Sequence, residues 1–253
     1  MNKLLEYGIK ELKDLPDNEY LANYLLKYIS DKSLYKEGIQ KLKEGMPIQY
    51  VIGNVNFYGY DFVVNKNVLI PRFETEGLIE KTLKYIDSKK IKIADIGTGS
   101  GCIAITLKKE LPDSSVTAVD ISAAALEVAK LNALNNNCEI DFKEGNLTDP
   151  LKDKYDLIIS NPPYIAYDEE IMEIVKNNEP SIALYASKNG LDNYIRILSK
   201  IKKNLNKHYL IAFEIGATQG NELKNIARRK FLFSKIWIEK DLQGKDRYLF
   251  IKK

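Results

Sequence analysis

The residues that suggest chemistry most directly are Asn161, Pro162, Pro163 and Tyr164, which follow the apolar run 155–159. Prolines have no N–H to donate and fix their own φ, so they end the strand that this run predicts. The Asn161 side-chain oxygen and the Pro162 carbonyl oxygen can each accept one N–H of an NH2 group. The ring of Tyr164 offers a face or an edge to a planar group. This arrangement favours a site that orients a planar amide or amine nitrogen.

A second chemically suggestive stretch is the glycine-rich turn DIGTGSG, residues 95–101, between a predicted strand and a predicted helix. Ligands of open α/β sheets bind where such strands end, and glycines let the backbone approach them closely. The spacing differs from the G-x-G-x-x-G of dinucleotide-binding loops. Asp95 would repel a phosphate but suits the positively charged amino-acid end of S-adenosylmethionine. The turn predicts a site for that cofactor; the alternative is a turn that needs glycines only for its shape.

Three polar residues at the ends of other strands extend this predicted cofactor site. Asp120 ends the second strand, where a carboxylate can accept hydrogen bonds from both ribose hydroxyls. Asn146 lies just beyond the third strand and is expected at the adenine edge. Asn161 ends the fourth strand, which lies beside the first, and is expected to face the sulfonium. The nitrogen held by Asn161 and Pro162 is then predicted to be methylated.

The elements that must position these residues alternate between strands and helices from about residue 76. The predicted strands are 92–96, 115–120, 139–142, 156–160, 209–215, 234–239 and 248–252, and the predicted helices are 76–88, 102–110, 122–135, 192–204 and 219–230. This alternation predicts an α/β fold with a mostly parallel sheet of seven strands, helices on both faces and an antiparallel end.

The segment before this alternation has a different pattern. Residues 1–46 have helical apolar spacing and predict a small bundle of two or three helices. Apolar residues from Tyr50 to Val64, with Gly53 and Gly59 between them, predict a β-hairpin. Residues 1–46 are also charge-neutral and contain no catalytic constellation, so we expect a substrate-docking domain there, a hairpin linker at 47–70 and a methyltransferase domain at 71–253.

Composition and charge exclude several classes of protein. The 253 residues are 45% hydrophobic and 29% charged, which is typical of a globular chain, and no apolar stretch is long enough to span a bilayer. Cys102 and Cys138 provide neither a disulfide framework nor metal-ligand spacing, so we expect no metal site and a cytoplasmic protein. Residues 188–253 contain 16 basic and six acidic residues. This section is either a solvated surface or a face for nucleic acid or a ribonucleoprotein.

Several segments together resemble the release factor glutamine N5-methyltransferases. The matching segments are 47–53, 68–76, 95–103, 161–165, 179–180, 214–216 and 241–247. Asn-Pro-Pro-Tyr also occurs in DNA adenine methyltransferases, whereas IPRFETE at 70–76 is far more specific. The chain departs from the family in a shorter N-terminal helical segment and in Phe73, where the family usually has proline.

The resemblance implies a class I (Rossmann-like) methyltransferase that modifies the glutamine of the GGQ motif in peptide-chain release factors, with S-adenosylhomocysteine as its product. It implies that the glutamine is held by Asn161, Pro162, Pro163 and Tyr164. It further implies cofactor contacts from Asp95, Ile96, Gly97, Thr98, Gly99, Asp120 and Asn146.

Two alternatives of other kinds remain at this point. A nucleic-acid N6-adenine or N2-guanine methyltransferase would use the same acceptors, but specific DNA readout needs phosphate neutralisation and groove contacts. The N-terminal section is charge-neutral, so we expect no specific DNA binding. A non-catalytic cofactor-binding adaptor would not need Asn161 and Tyr164, which are intact.

Overall fold

The computed structural model describes residues 3–253, beginning with three helices that pack into a small bundle. These helices are α1 (Lys3–Glu11), α2 (Asn18–Tyr28) and α3 (Lys32–Lys43). The side chain of Asp31 caps α3 by accepting hydrogen bonds from two backbone N–H groups at 2.9 Å. Leu25, Tyr35 and Ile39 are buried at the centre of the bundle, so the apolar spacing in the sequence corresponds to a real core.

A short helix and a hairpin follow the bundle, namely α4 (Ile48–Ile52), β1 (Asn54–Phe57) and β2 (Tyr60–Val63). The prediction that the hairpin includes Tyr50 and Ile52 is wrong, because both lie in α4. Pro47 begins this helix, and its carbonyl oxygen accepts from the N–H of Val51 at 3.1 Å. Gly53 ends the helix with a φ of 77°. Alternating apolar residues over only five positions do not distinguish one helical turn from a strand.

The remaining elements form the predicted sheet and its helices. They are α5 (Phe73–Lys84), β3 (Lys92–Ile96), α6 (Cys102–Glu110), β4 (Ser115–Asp120), α7 (Ala123–Asn135), β5 (Asp141–Glu144), β6 (Tyr155–Ser160), α8 (Glu173–Asn178), α9 (Ser181–Leu184), α10 (Asp192–Lys200), β7 (Leu205–Glu214), α11 (Gly220–Lys230), β8 (Lys235–Lys240) and β9 (Asp246–Lys252). The strand order is β5-β4-β3-β6-β7-β9-β8, with β9 antiparallel to both neighbours. The predicted α/β class, the seven strands and the antiparallel end are confirmed.

Several element boundaries differ from the predictions. Strand β5 begins two residues later than expected. The N–H of Cys138 donates a hydrogen bond to the Ala133 carbonyl oxygen, which holds Cys138 at the end of α7. Strand β7 begins four residues earlier, at Leu205, and crosses an irregularity in its pairing with β6. The short helices α8 and α9 were not predicted.

Two hydrophobic cores cover the two faces of the sheet. One core packs side chains of α5 and α6 against Ile93, and the other packs α10 and α11 against Ala94 and Ile96. Successive side chains of β3 therefore point to opposite faces, as in any strand. The chain order reverses between β3 and β6, so the carboxyl ends of these strands border a crevice, where open α/β sheets bind ligands.

Residues 3–253 contain no helix with the length and apolar character that a membrane span requires. No group of three or more His, Cys, Asp or Glu side chains in this range could hold a metal ion.

Candidate active site

A cavity of about 330 Å³ lies at the carboxyl ends of β3, β4 and β6. Five of the residues predicted to bind the cofactor line it: Gly97, Gly99, Asp120, Asn146 and Asn161. These residues come from four different strand ends and are brought together only by the order of the strands. The cavity is thus the place that the sequence predicts for the cofactor.

The glycine turn after β3 is held against β4 and leaves its open side toward the cavity. The Val119 carbonyl oxygen accepts from the N–H groups of Gly97 and Thr98 at 2.8 and 2.9 Å. Gly97 and Gly99 have positive φ values of 73° and 55°, and an added Cβ at either would meet no atom within 4 Å. A side chain would therefore project into the free space, so the turn fits a ligand that approaches the backbone closely.

Asp120 is held by two backbone donors at the end of β4. Its Oδ2 accepts from the N–H of Gly99 at 2.8 Å, and its Oδ1 accepts from the N–H of Ser122 at 2.9 Å. Burial raises the pKa of Asp120, while these backbone hydrogen bonds oppose the rise. Each oxygen keeps a further lone pair, so the carboxylate can still accept from two ribose hydroxyls.

Three other predicted cofactor residues, Asp95, Ile96 and Thr98, do not line the cavity. Asp95 is fully buried, and its Oδ2 accepts from the Thr98 hydroxyl at 2.6 Å. Its Oδ1 is buried and has no hydrogen-bond partner within residues 3–253. Burial raises the pKa of Asp95 to about 7. The side chain of Ile96 lies in the hydrophobic core and does not face the cavity. Asp95 therefore supports the glycine turn from behind through Thr98, and the fit to S-adenosylmethionine rests on the residues that line the cavity.

Asn161 stands between this cavity and a second one of about 360 Å³. The second cavity is lined by Pro162, Pro163 and Tyr164 as well, so all four predicted substrate residues meet there. Asn161 Nδ2 donates to Thr75 Oγ1 at 3.1 Å. Within residues 3–253 no donor contacts Asn161 Oδ1 or the Pro162 carbonyl oxygen. Both oxygens can therefore accept hydrogen bonds from a substrate.

Sequence reasoning missed two residues behind Asn161, namely Thr75 and Glu214. Glu214 is buried at the end of β7 and accepts from Thr75 Oγ1 at 2.7 Å and from the Tyr164 hydroxyl at 3.3 Å. Burial raises the pKa of Glu214 to about 7, although the Thr75 hydrogen bond and the Arg247 charge oppose the rise. A carboxylate at the end of the strand next to β6 was the available signal, because it follows the same rule that identified Asp120.

An ion pair ties the chain before α5 to the chain after β6. The Arg72 guanidinium contacts Glu179, whose side chain is only 2% exposed. The other Glu179 oxygen accepts from the N–H of Ile70 at 3.1 Å. Leu69 and Pro180, on either side of this pair, line the first cavity. The pair therefore holds both segments together at the edge of the first cavity.

The fold, the glycine turn and the acid that ends β4 together define a class I S-adenosylmethionine-dependent methyltransferase. Residues 75–179 match the family described as Methyltransferase small domain. A crystal structure of a methyltransferase from Pyrococcus furiosus superimposes with a TM-score of 0.60 at 19% identity, covering 86% of this chain and 97% of that one. That similarity concerns the fold alone.

Two curated relatives identify the family more narrowly. The release factor glutamine methyltransferase of Bacillus anthracis is 41% identical over 225 residues, which cover 85% of this chain and 80% of that protein. The release factor glutamine methyltransferase of Lactococcus lactis subsp. lactis is 38% identical over 252 residues, covering 98% and 93%. The chain belongs to the release factor glutamine methyltransferase family. The resemblance seen in the sequence is confirmed, and neither the nucleic-acid enzyme nor the adaptor is favoured.

Proposed function

We propose that this enzyme transfers a methyl group from S-adenosylmethionine to the side-chain amide nitrogen, N5, of the glutamine in the GGQ motif of peptide-chain release factors. The observation that carries the proposal is a pair of acceptors at the second cavity, Asn161 Oδ1 and the Pro162 carbonyl oxygen, because Asn161 also lines the first cavity. They match the two N–H bonds of a primary amide. The names of the relatives support a release factor as the protein that supplies this amide.

The two acceptors address the main chemical difficulty of the reaction. An amide nitrogen is a weak nucleophile because its lone pair is delocalised into the carbonyl group. Asn161 and Pro162 would hold the NH2 group in one orientation and stabilise the positive charge that develops on it as the new C–N bond forms. S-adenosylmethionine supplies the methyl group from its sulfonium. The methylated nitrogen is acidic and loses its proton afterwards, so the site needs no general base in the transition state.

The residues around the first cavity are proposed to hold the cofactor. Asp120 would accept from the ribose hydroxyls and Asn146 would lie at the adenine edge. Asp95, Ile96, Gly97, Thr98 and Gly99 form the turn proposed to hold the amino-acid end. Asn161 would face the sulfonium from the substrate side, and Pro163 and Tyr164 would enclose the glutamine side chain.

An apolar groove beside α8 supports a docking role for residues 1–46. The groove has a volume of about 470 Å³ and lies between the helical bundle and the segment 172–179. Apolar side chains line both walls: Leu15, Leu21 and Leu42 from the bundle, and Met172, Ile174 and Val175 from the other side. We assign 1–46 to release-factor docking, 47–70 to the linker and 71–253 to methyl transfer.

The basic C-terminal section supports a contact with ribosomal RNA. Four lysines line a recess at the amino end of β7, at the opposite end of the strands from the cavity: Lys202, Lys207, Lys230 and Lys253. Phe233 lines the same recess and is 86% exposed, so it is free to stack on a base. A translation factor as substrate and RNA as neighbour both suit a cytoplasmic enzyme.

The direct test of this function uses labelled cofactor and four purified substrates: a release factor, the same factor with its GGQ glutamine replaced by glutamate, duplex DNA and RNA. The proposal predicts label on the first substrate only, because glutamate has no NH2 group. Label on the glutamate-containing factor or transfer to nucleic acid alone would contradict it.

A further inference from the structure

A chain of hydrogen bonds runs from the substrate acceptor into the protein interior. Asn161 Nδ2 contacts Thr75 Oγ1 at 3.1 Å, and Thr75 Oγ1 contacts Glu214 Oε2 at 2.7 Å. The Tyr164 hydroxyl donates to the other Glu214 oxygen at 3.3 Å. Thr75 is 3% exposed and Glu214 is 2% exposed, so bulk water cannot replace these partners.

When Glu214 is ionised, the hydrogen bonds that link Asn161, Thr75 and Glu214 can be donated in only one direction. A carboxylate can only accept, so the single hydrogen of the Thr75 hydroxyl is directed to Glu214. The Thr75 oxygen can then only accept from Asn161, and the group that faces it must be the Asn161 NH2. Asn161 Oδ1 is left on the side of the two cavities.

We propose that Thr75 and Glu214 are positioning residues that hold the Asn161 amide in the orientation in which its oxygen faces the substrate nitrogen. This inference rests on the proposed function, because it assumes that the substrate presents an NH2 group. An asparagine amide is nearly symmetric in shape, so packing alone does not distinguish its oxygen from its nitrogen. If the amide turned over, its NH2 would face the substrate NH2, and two donors would oppose each other.

The test compares Thr75→Val in the parent enzyme and in an Asn161→Asp enzyme. Valine keeps the shape of threonine and removes the hydroxyl. A carboxylate at position 161 has two equivalent oxygens and therefore no orientation to hold. We expect Thr75→Val to lower kcat about 10-fold in the parent and less than about threefold in the N161D background. Within each background, Thr75→Val should change affinity for S-adenosylmethionine by less than about twofold.

Two further variants keep the test decisive. Thr75→Ser retains the hydroxyl and should be faster than Thr75→Val, which separates the hydrogen bond from packing. Glu214→Leu releases the Thr75 hydrogen toward Asn161 Oδ1 and should repeat the same pattern, so it replaces Thr75→Val if that protein does not fold.

An equal loss of kcat in both backgrounds would overturn the inference, because a purely structural role of Thr75 predicts it. A Thr75→Val enzyme as fast as the parent would overturn it as well. A parent enzyme that does not methylate a release factor would instead reject the proposed function.

Discussion

Asp120 Oδ2 accepts a hydrogen bond from the backbone N–H of Gly99 at 2.8 Å. This one contact joins the end of β4 to the glycine turn that follows β3. The acid proposed to bind the ribose and the backbone proposed to approach the amino-acid end are therefore placed relative to each other by the protein itself, before any ligand binds.

Replacing Asp120 by alanine should weaken binding of S-adenosylmethionine by about 1.5–3 kcal/mol, the range for hydrogen bonds to a charged group. Titration calorimetry measures this directly. Asp141→Ala is a matched control, because Asp141 lies on the edge strand β5 with a largely exposed side chain. Equal affinities of the Asp120 variant and this control would remove Asp120 from the cofactor site.

Gly99→Ala should reduce the free energy of cofactor binding by more than it reduces the free energy of unfolding. The new Cβ would enter the free space of the cavity, and the φ of 55° adds strain of about 1 kcal/mol. Gly244→Ala controls for strain, because Gly244 has a φ of 78° and open space around it in the turn before β9. The account predicts similar thermal stabilities for the two variants and weaker binding only for Gly99→Ala. Unchanged affinity at Gly99 would contradict it.

The rate of methyl transfer should rise with pH as Glu214 loses its proton. Burial raises the pKa of Glu214 from 4.5 to about 7; the Thr75 hydrogen bond, the Arg247 charge and the Tyr164 hydroxyl oppose the rise, and Glu74 adds to it. Protonated Glu214 can donate to Thr75, which frees the Thr75 hydrogen to turn the Asn161 amide over. A pH–rate profile at saturating cofactor, so that cofactor affinity does not enter the rate, should therefore show slower transfer at pH 6 than at pH 8.

The N161D enzyme provides the control for this profile, because its side chain has no orientation to lose. Its rate should depend less on pH between 6 and 8. A rate that is flat in the parent between pH 6 and pH 8 would contradict the role of Glu214.

The stability of the fold should change with pH in the opposite direction. Because the pKa of Glu214 is higher in the folded state than in the unfolded state, ionising Glu214 weakens the folded state as pH rises from about 4.5 to about 7.

A charge placed in the apolar groove should affect whole release factors and not short substrates. Ile174 is 43% exposed and lines the groove, and unlike Met172 it does not line the second cavity. Ile174→Asp should raise KM for a complete release factor by about 10-fold or more, since hot-spot contacts contribute 2 kcal/mol or more. KM for a short GGQ peptide should not change. Leu131→Asp, at a residue of α7 that is 44% exposed and lies outside the groove, is the control. Equal effects on factor and peptide would argue against docking in this groove.

Local signals in the sequence predicted part of this structure accurately. Strands β3 and β4 and helix α6 have the predicted bounds, because apolar runs end at a glycine turn and at an acid. Ser122 caps α7 as expected, accepting from the N–H of Ala125 at 3.2 Å. Five of the residues that line the first cavity could be predicted for the same reason, since each lies at a strand end or within three positions of it: Gly97, Gly99, Asp120, Asn146 and Asn161.

The supporting residues could not be predicted from local signals. Thr75 and Glu214 are 139 positions apart and meet only because the fold packs α5 against β7, which lies beside β6. The sequence identifies both residues as members of matching segments but does not indicate that they touch. The same holds for Arg72 and Glu179, which are 107 positions apart.

The most direct test of the central claim is the rate of the Asn161→Ala enzyme on a release factor, followed by mass spectrometry of the GGQ peptide at saturating substrate and cofactor. Removing the acceptor should lower the rate by about 10²–10³, the range for losing one preorganised polar group, while the cofactor still binds. Asn161→Asp keeps an acceptor oxygen and should fall between the alanine variant and the parent. An alanine variant as fast as the parent would mean that Asn161 only shapes its loop.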